Sequence, residues 1–488
     1  MEGRILGPFP YHPTQAPSWL SFIRFSPISL LPKRTCGLAL RDKFRLIWNG
    51  SWGKLFGVSV NDGIPREVYA CRFVTFDTVV TRVLILVFAG GQWILLWKTD
   101  LVSAFRIAQV HPDDWPLLGF EYQGSAYLDT RLPFGVVSGP FTFQRISNSV
   151  KAIGNGLMAN PLEALQPANV REASSLDALL DDFFQITAGP RPEAAKLSMC
   201  SFMALLEIIG IEAAPDKTFS PRTRLTIFGL QIDTIAMEIS LPAERLAGLK
   251  MLLNHWEDKD EYTKREIQSL VGVLVFCSYG IRWGRAFIHR LIKAIRPLKF
   301  AKSRTKITQE MRDDMRWWKQ FALDPHYKGV SIIVDPHIIY FSELDAYTDS
   351  TPETCAGGFG DVWFLVEFYG IQLDWSISAK ELYSFVTLCG THGPKFTGKT
   401  ICLLCDNEAS VITIKSMRAH CPVMATLVRE LFYICARYSF QVVPKHIPGV
   451  KNVLADRLSR PNLRHQAWEI RRTLDRHPST PVLPTMLW

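Results

Sequence analysis

The stretch Leu176-Asp177-Ala178-Leu179-Leu180-Asp181-Asp182-Phe183-Phe184-Gln185-Ile186 constrains the fold more than any other. Two adjacent carboxylates lie between apolar runs that read as strands, which predicts a β-hairpin turning at Asp181 and Asp182. Neighbouring side chains of a strand point to opposite faces, so only a turn lets consecutive aspartates approach one site. Two such charges about 4 Å apart repel by roughly 4 kcal/mol at an effective dielectric near 20. A divalent cation reverses that cost, and hard oxygen ligands suit magnesium. By itself an Asp-Asp pair is most simply an exposed turn. Trp93-Ile94-Leu95-Leu96-Trp97-Lys98-Thr99-Asp100 changes the balance, because it is an apolar strand ending in a third aspartate that could complete a two-cation site.

A chain of 488 residues is too long for one ordinary core and predicts two to four domains. An apolar share of 48% with 21% charged residues is globular, and a net charge of +9 suits a polyanionic partner. Ten cysteines without framework spacing and no secretory leader predict a reducing intracellular setting, cytoplasm and nucleus both open. The apolar run Val83 to Trp97 would reach only about 22 Å as a helix, short of a bilayer core of roughly 30 Å. Gly90-Gly91-Gln92 also interrupts it, so the run reads as helix, turn and buried strand, and no membrane partner is expected.

In chain order, residues 1–40 read as an irregular lead-in, Lys43 to Asn49 as a half-exposed strand and Ser59 to Pro65 as a turn. Phe120 to Thr130 reads as a hairpin around Gln123-Gly124-Ser125, and Ser138 as the cap of a helix through Ser149. Residues 151–175 look like a surface connection. A helix over 193–209, a turn at Pro215-Asp216-Lys217 and a strand from Leu225 to Ile232 complete the block.

Taken together, Lys43-Phe44-Arg45-Leu46-Ile47, Ser59-Val60-Asn61-Asp62-Gly63-Ile64, Asp100-Leu101-Val102-Ser103-Ala104-Phe105-Arg106, Leu132-Pro133-Phe134-Gly135, Leu179-Leu180-Asp181-Asp182-Phe183 and Phe228-Gly229-Leu230-Gln231-Ile232-Asp233 resemble a retroelement reverse transcriptase. The resemblance implies an α+β multidomain chain with a right-hand polymerase: fingers and palm over 41–240, and a helical thumb over 241–335. It implies that Asp100, Asp181 and Asp182 hold the metals, and that Phe105 abuts the incoming sugar and selects against a 2′-hydroxyl. By the same resemblance, Arg45 grips the triphosphate, Lys217 is the palm lysine, and Phe134 and Gly135 shape the nucleotide and template pocket. The chain departs from the family in carrying Leu179 where most members have tyrosine, and Trp48-Asn49-Gly50 after the fingers arginine.

Thr263-Lys264-Arg265-Glu266 is a capping box that opens a helical block. From Arg282 to Lys306 there are nine lysines and arginines and no acid. Arg282, Arg285, His289, Lys293 and Arg296 step by three or four, opposite Ile288, Leu291, Ile292 and Ile295. A basic amphipathic helix can be a solvated face or lie on a membrane, but beside a polymerase palm it is expected to track a nucleic-acid backbone.

The last block places Asp349 near a strand end, Glu381 on a helix, Asp406 after the strand Ile401 to Cys405, and Asp456 on a short helix. Four carboxylates in this order of elements can hold two cations. With His446-Ile447-Pro448-Gly449, Asn452 and Ala455-Asp456-Arg457-Leu458-Ser459-Arg460, they are similar to the RNase H domain that follows reverse transcriptase, with DIRS-like retrotransposons the nearest pattern. The resemblance implies an RNase H-like α/β domain with a mixed sheet over 338–460, and His446 as the histidine that helps product leave. It also implies magnesium, two per site or manganese in its place, with RNA template, DNA primer, RNA–DNA hybrid and dNTPs as partners and the oligomeric state open. Cys402 and Cys405, with His420 and Cys421 downstream, are zinc ligands by type, but cysteines three apart on a strand face opposite ways and no zinc site is expected. A basic tail over 461–488 is expected to be poorly ordered, and without a protease, integrase or recombinase pattern a fragment of a longer product is an expectation. Two other readings stay open at this stage, an inactive relic that binds nucleic acid and a nuclease with a dead polymerase half.

Overall fold

The computed structural model describes residues 5–10, 23–35, 38–53, 57–163, 166, 168–189, 191–322, 329–331, 339–340, 346–359, 362–460 and 477–485. Part of the expected lead-in, most of the expected basic tail, and Leu344 and Asp345 ahead of the Asp349 strand lie outside the described residues. The described part of 1–40 is not irregular, as expected from the sequence: Ile5–Pro10 pairs with Ser125–Asp129, and Ile28–Thr35 forms an antiparallel hairpin with Leu38–Trp48. The chain is mixed α+β and divides into two compact units, Met1–Glu238 and Ile239–Trp488. Among the described residues, no helix is long and apolar enough to cross a membrane.

The first unit is built on a four-stranded antiparallel sheet in the order Leu176–Leu179, Asp182–Thr187, Leu95–Asp100, Phe219–Arg222. Register decides what each face carries. Asp100 pairs with Asp182 and Thr99 with Phe183, so alternation sends Trp97 and Phe183 to one face and Asp100 and Asp182 to the other. The first face is covered by helices Gly139–Glu163 and Glu193–Ile208, whose Phe143, Val150, Met158, Phe202 and Leu205 form one buried cluster with Trp97 and Phe183. Trp97 Nε1 donates to Gln185 Oε1 at 2.9 Å, which satisfies two polar groups that the core would otherwise strand. The opposite face is also apolar at its far end, where Phe184 meets Phe228 edge-on at 5.2 Å.

Three expectations are corrected here. Residues 151–175 are not a surface connection: the helix that starts at Gly139 runs to Glu163, and a short helix follows at Ala168–Ala173. Leu225 to Ile232 is not one strand but a hairpin, Arg224–Ile227 with Leu230–Asp233, turned by Phe228 and Gly229 at φ 51° and 77°. The expected hairpin at Asp181–Asp182 exists, yet its turn residues are Leu180 and Asp181, and Asp182 is the first residue of the returning strand.

In the second unit the capping box at Thr263 and Glu266 opens helix Lys264–Cys277. The expected continuous basic helix is instead a 3-10 segment, Arg282–Phe287, followed by helix His289–Ile295. Packing sets the break: Phe287 stacks on Trp317 of helix Gln309–Ala322 at 4.0 Å, and the bare Gly284 backbone lets the Trp318 ring approach. Ile292, expected on the buried side, is 37% exposed. Downstream, Ala346–Ser350, Thr354–Phe359 and Val362–Glu367 form an antiparallel meander, with His477–Pro478 added in parallel at its edge. Ile339–Tyr340, Thr400–Cys405 and Gln441–His446 form a second, parallel sheet, so the expected mixed sheet is found as two hydrogen-bonded sheets, one of them reaching past residue 460. Helix Ile377–Phe396 is buried nearly all round, as expected for a helix without a polar stripe.

Candidate functional site

Strand register brings the first three predicted acids together. Asp100 ends its strand directly opposite Asp182, and Leu101 N donates to Asp181 O at 3.1 Å, which ties the turn to the end of the Asp100 strand. The Asp181 carboxyl lies within hydrogen-bonding reach of that of Asp100. Burial, reinforced by the Asp100 charge, holds the Asp181 proton up to about 6, and the same two causes raise Asp182. Lys217, in the short 3-10 segment Pro215–Lys217, sets its ammonium against Asp100 Oδ2, and this hydrogen bond raises the lysine's own pKa. The remaining acid of the stretch is compensated differently: Asp177 is buried against Arg82, with Lys151 Nζ at 3.4 Å. Among the described residues Asp181 and Asp182 have no ion pair of their own, although the charges of Lys98 and Lys217 partly offset the rise at Asp182.

Leu180 takes the left-handed conformation at φ 52°, which an L side chain rarely adopts. The helix beneath holds it there. Leu180 N donates to Gln144 Oε1 at 2.8 Å, Ser147 Oγ donates to Leu180 O at 2.7 Å, and Gln144 Nε2 donates to Ala178 O at 3.1 Å. Gln144 and Ser147 were not singled out in the sequence. They lie more than thirty residues from what they bind, and no local pattern marks them.

The substrate-binding candidates form a chain of contacts in the same unit. Exposed Arg45 lies with its guanidinium carbon 4.8 Å from the Phe134 ring centre, Phe134 meets Phe105 edge-on at 5.6 Å, and Phe105 stacks on Phe143 at 5.2 Å. Trp48 N donates to Phe134 O at 3.0 Å. Gly135 has φ 142°, and a Cβ there would lie 1.7 Å from Trp48 O. Buried Asn61 pins the same loop, donating to Gly135 O and accepting from Val137 N, each at 2.9 Å.

The second set of acids is assembled from four elements of the other unit. Asp349 is buried on the strand Ala346–Ser350, Glu381 is buried on helix Ile377–Phe396, Asp406 follows Thr400–Cys405, and Asp456 lies on helix Val453–Ser459. Ser350 N donates to Glu381 Oε1 at 3.1 Å, and Ser459 Oγ to Asp349 Oδ2 at 2.5 Å. Asn452 docks the last helix by donating to Thr348 O at 2.9 Å. Asp456 Oδ1 accepts from Arg460 Nε at 2.8 Å and Nη2 at 2.5 Å. His446 is exposed, with Nε2 3.2 Å from Asp406 O. Burial pushes Asp349 up to about 6. It also raises Glu381 well above the usual range, with the charges of Asp349 and Asp406 adding to the effect, and it raises Asp406.

Among the described residues, the one set of three donors whose ligand atoms all lie within 4.8 Å of one another is Glu381, Cys405 and Asp406. Asp100, Asp181 and Asp182 are neighbours without reaching that spacing. Hard cations fit both places by donor chemistry. Carboxylates that raise one another's proton affinity are sites where positive charge is missing, and Glu381 Oε2 is buried with no hydrogen-bond partner among the described residues.

The predicted basic residues Arg282, Arg285, Lys293 and Arg296 are exposed. Arg282 reaches Gln441 Oε1 at 3.4 Å within its own unit.

No protein-family model matches the chain, and no curated protein matches it. Among solved structures it is similar to a foamy viral protease-reverse transcriptase, in a form designated dRH, in complex with double-stranded DNA, at 13% identity and TM-score 0.45, over 86% of this chain and 65% of that one. It is similar to the foamy viral protease-reverse transcriptase with double-stranded DNA at 16% identity and TM-score 0.44, over 87% and 77% of the two chains. The same protein with an RNA/DNA hybrid gives 14% identity and TM-score 0.42, over 86% and 50%. The chain thus spans only part of the length of each of these proteins.

Proposed function

We propose that the chain is an RNA-directed DNA polymerase with ribonuclease H activity, from a retrotransposon of the DIRS-like type. The observation that carries the reading is the register that sets Asp100 against Asp182 with Asp181 beside them, at the end of a sheet whose other face is buried. Asp100, Asp181 and Asp182 would hold magnesium, or manganese in its place, in the first site, and Asp349, Glu381, Asp406 and Asp456 would do so in the second. Cations held there lower the pKa of the attacking oxygen and offset charge on the phosphate during in-line displacement.

The chain's own groups do the rest. Lys217 compensates Asp100 and gives the first site a cationic edge for a dNTP triphosphate, with exposed Arg45 a second cation on the Phe134 loop. Phe105, locked between Phe134 and Phe143, presents a rigid ring that excludes a sugar 2′-hydroxyl. In the second site, exposed His446, with Nε2 3.2 Å from Asp406 O, stands where it would help product leave. Arg282, Arg285, Lys293 and Arg296 neutralise backbone phosphates of primer, template or hybrid.

The test is primer extension on poly(rA)–oligo(dT) with magnesium, run in parallel with cleavage of an RNA–DNA hybrid. Asp181→Asn/Asp182→Asn is expected to abolish extension and leave cleavage, and Asp406→Asn to do the reverse. A wild-type chain that binds the hybrid but does neither overturns the reading.

A further inference from the structure

We propose that Glu381, Cys405 and Asp406 form a site for a thiophilic divalent cation of the zinc or cadmium kind, with the Cys405 thiolate as its defining ligand. The inference shares with the nuclease reading the premise that these acids take a cation, but its test does not require the chain to hydrolyse anything.

In a regular strand Cys405 and Asp406 would point to opposite faces. Here the strand ends at Cys405 and Asp406 sits in the bend that follows, so the sulfur and the carboxylate turn toward one point. Glu381 reaches the same point from its helix, and the three donor atoms lie within 4.8 Å of one another. A tetrahedral zinc, with bonds of about 2.3 Å to sulfur and 2.1 Å to oxygen, needs such donors about 3.6 Å apart, a closure of roughly 1 Å that side-chain rotation can supply.

A buried cysteine is most often a small apolar filler. The surroundings of Cys405 are wrong for that role. Two carboxylates flank a residue only 1% exposed, and Glu381, itself 4% exposed, keeps Oε2 without a partner among the described residues. The Cys405 sulfur meets the Asn407 backbone, accepting from N at 3.3 Å and donating to O at 3.5 Å, yet buried, unpaired acid beside it still calls for a cation that accepts both oxygen and sulfur. Magnesium prefers an all-oxygen shell, and thiolate selects for the zinc class. On binding, the sulfur–hydrogen bond is replaced by a sulfur–metal bond and the proton leaves to solvent. Because Glu381 and Asp406 also belong to the proposed hard-cation set, the two occupancies exclude each other. Low zinc or cadmium then blocks the second site, while the Asp100–Asp181–Asp182 cluster offers no sulfur.

The experiment titrates the full chain with cadmium and with cobalt and reads thiolate-to-metal charge-transfer absorption. Cys405→Ala and Cys405→Val are measured beside wild type, each first checked for native circular dichroism. Wild type is expected to show a saturating band that both variants lose, with cadmium affinity lower by on the order of 100-fold and manganese affinity, carried by the oxygens, changed far less. An unchanged band in the variants, or no band in wild type, overturns the proposal. Hybrid cleavage scored separately keeps the two readings apart. A cadmium band lost with Cys405 in a chain that does not cleave sinks the nuclease reading alone. Cleavage without such a band sinks this inference alone.

Discussion

Replacing Asp349 with asparagine is expected to stabilise the cation-free chain at pH 8 while removing hybrid cleavage. Burial raises the Asp349 carboxyl from 3.8 to about 6. Below the unfolded value both states hold the proton and the group contributes nothing. Between the two values the folded chain keeps a proton that the unfolded chain has released, so stability falls as pH rises, and above about 6 the whole penalty is present. A shift of about two units is worth about 3 kcal/mol at 1.36 kcal/mol per unit. Half of that is the better expectation, because the asparagine amide adds an N–H donor pair that must find its own partner in a buried site. Asparagine keeps an oxygen for the Ser459 hydroxyl that donates to Asp349 Oδ2. In a unit of this size, about 1.5 kcal/mol moves the unfolding midpoint by roughly 3–6 °C. The assay is thermal unfolding at pH 8 and pH 4 in chelator, with Asp456→Asn as control, because Arg460 already compensates that acid. Saturating magnesium should erase the advantage by stabilising wild type, about 2.7 kcal/mol at a hundred times its dissociation constant. A variant less stable than wild type at pH 8, or equally stabilised at pH 4, refutes the reasoning.

Gly135→Ala should unfold the first unit or cost it more than about 3 kcal/mol, since the new Cβ would sit 1.7 Å from Trp48 O at a φ of 142°; a normal urea midpoint would contradict this. Gln144→Ala strands Leu180 N and Ala178 O, at about 1–3 kcal/mol for each buried group. Extension should fall at least tenfold with hybrid cleavage unchanged, and equal loss of both would show a merely global effect. Neutralising Arg282, Arg285, Lys293 and Arg296 to alanine should flatten the slope of log affinity for duplex against log salt by about 0.9 per lost phosphate contact. An unchanged slope would leave that exposed face without a role in binding.

The strands that carry the acids were legible because apolar runs bounded by aspartate or turn residues report burial directly, and Leu95–Asp100, Asp182–Thr187 and Thr400–Cys405 all follow that pattern. What failed were places where a glycine serves packing and not a turn. Gly154 sits where a Cβ would lie 3.0 Å from the Phe202 ring, so it permits close helix contact in a segment that its glycines and Asn160-Pro161 made look like a loop. The Phe228–Gly229 turn was missed for the opposite reason, since only one of its two left-handed residues is a glycine. The basic stripe failed because spacing carries no record of Trp317 and Trp318, whose rings fix the break at Phe287–Ile288. The clamps on Leu180 could not be read at all, since nothing in the sequence links Gln144 or Ser147 to a backbone more than thirty residues on.

The two acidic clusters reach the same electrostatic condition by different routes, and the difference bears on how each is held ready. In the first, hydrogen-bonded register places Asp100 and Asp182 side by side, so the repulsion is enforced by backbone and can be relieved only by added charge. Lys217 supplies some of it from a partly exposed position, which leaves the ammonium able to move as the site fills. In the second, the acids come from a meander strand, a buried helix, the end of a parallel strand and a short helix, and among the described residues only Asp456 has an ion pair. Asp349 and Glu381 instead lean on Ser459 and on the Ser350 backbone, which offer hydrogen bonds and no charge. Neutral donors can orient a carboxylate but cannot balance it, and the charges of Arg460 on Asp349 and His446 on Asp406 leave both still raised, which is the condition a bound cation would relieve. On the proposed reading its geometry, more than that of the first, would then depend on which cation arrives, and Cys405 beside Glu381 and Asp406 is where hard and soft candidates would part.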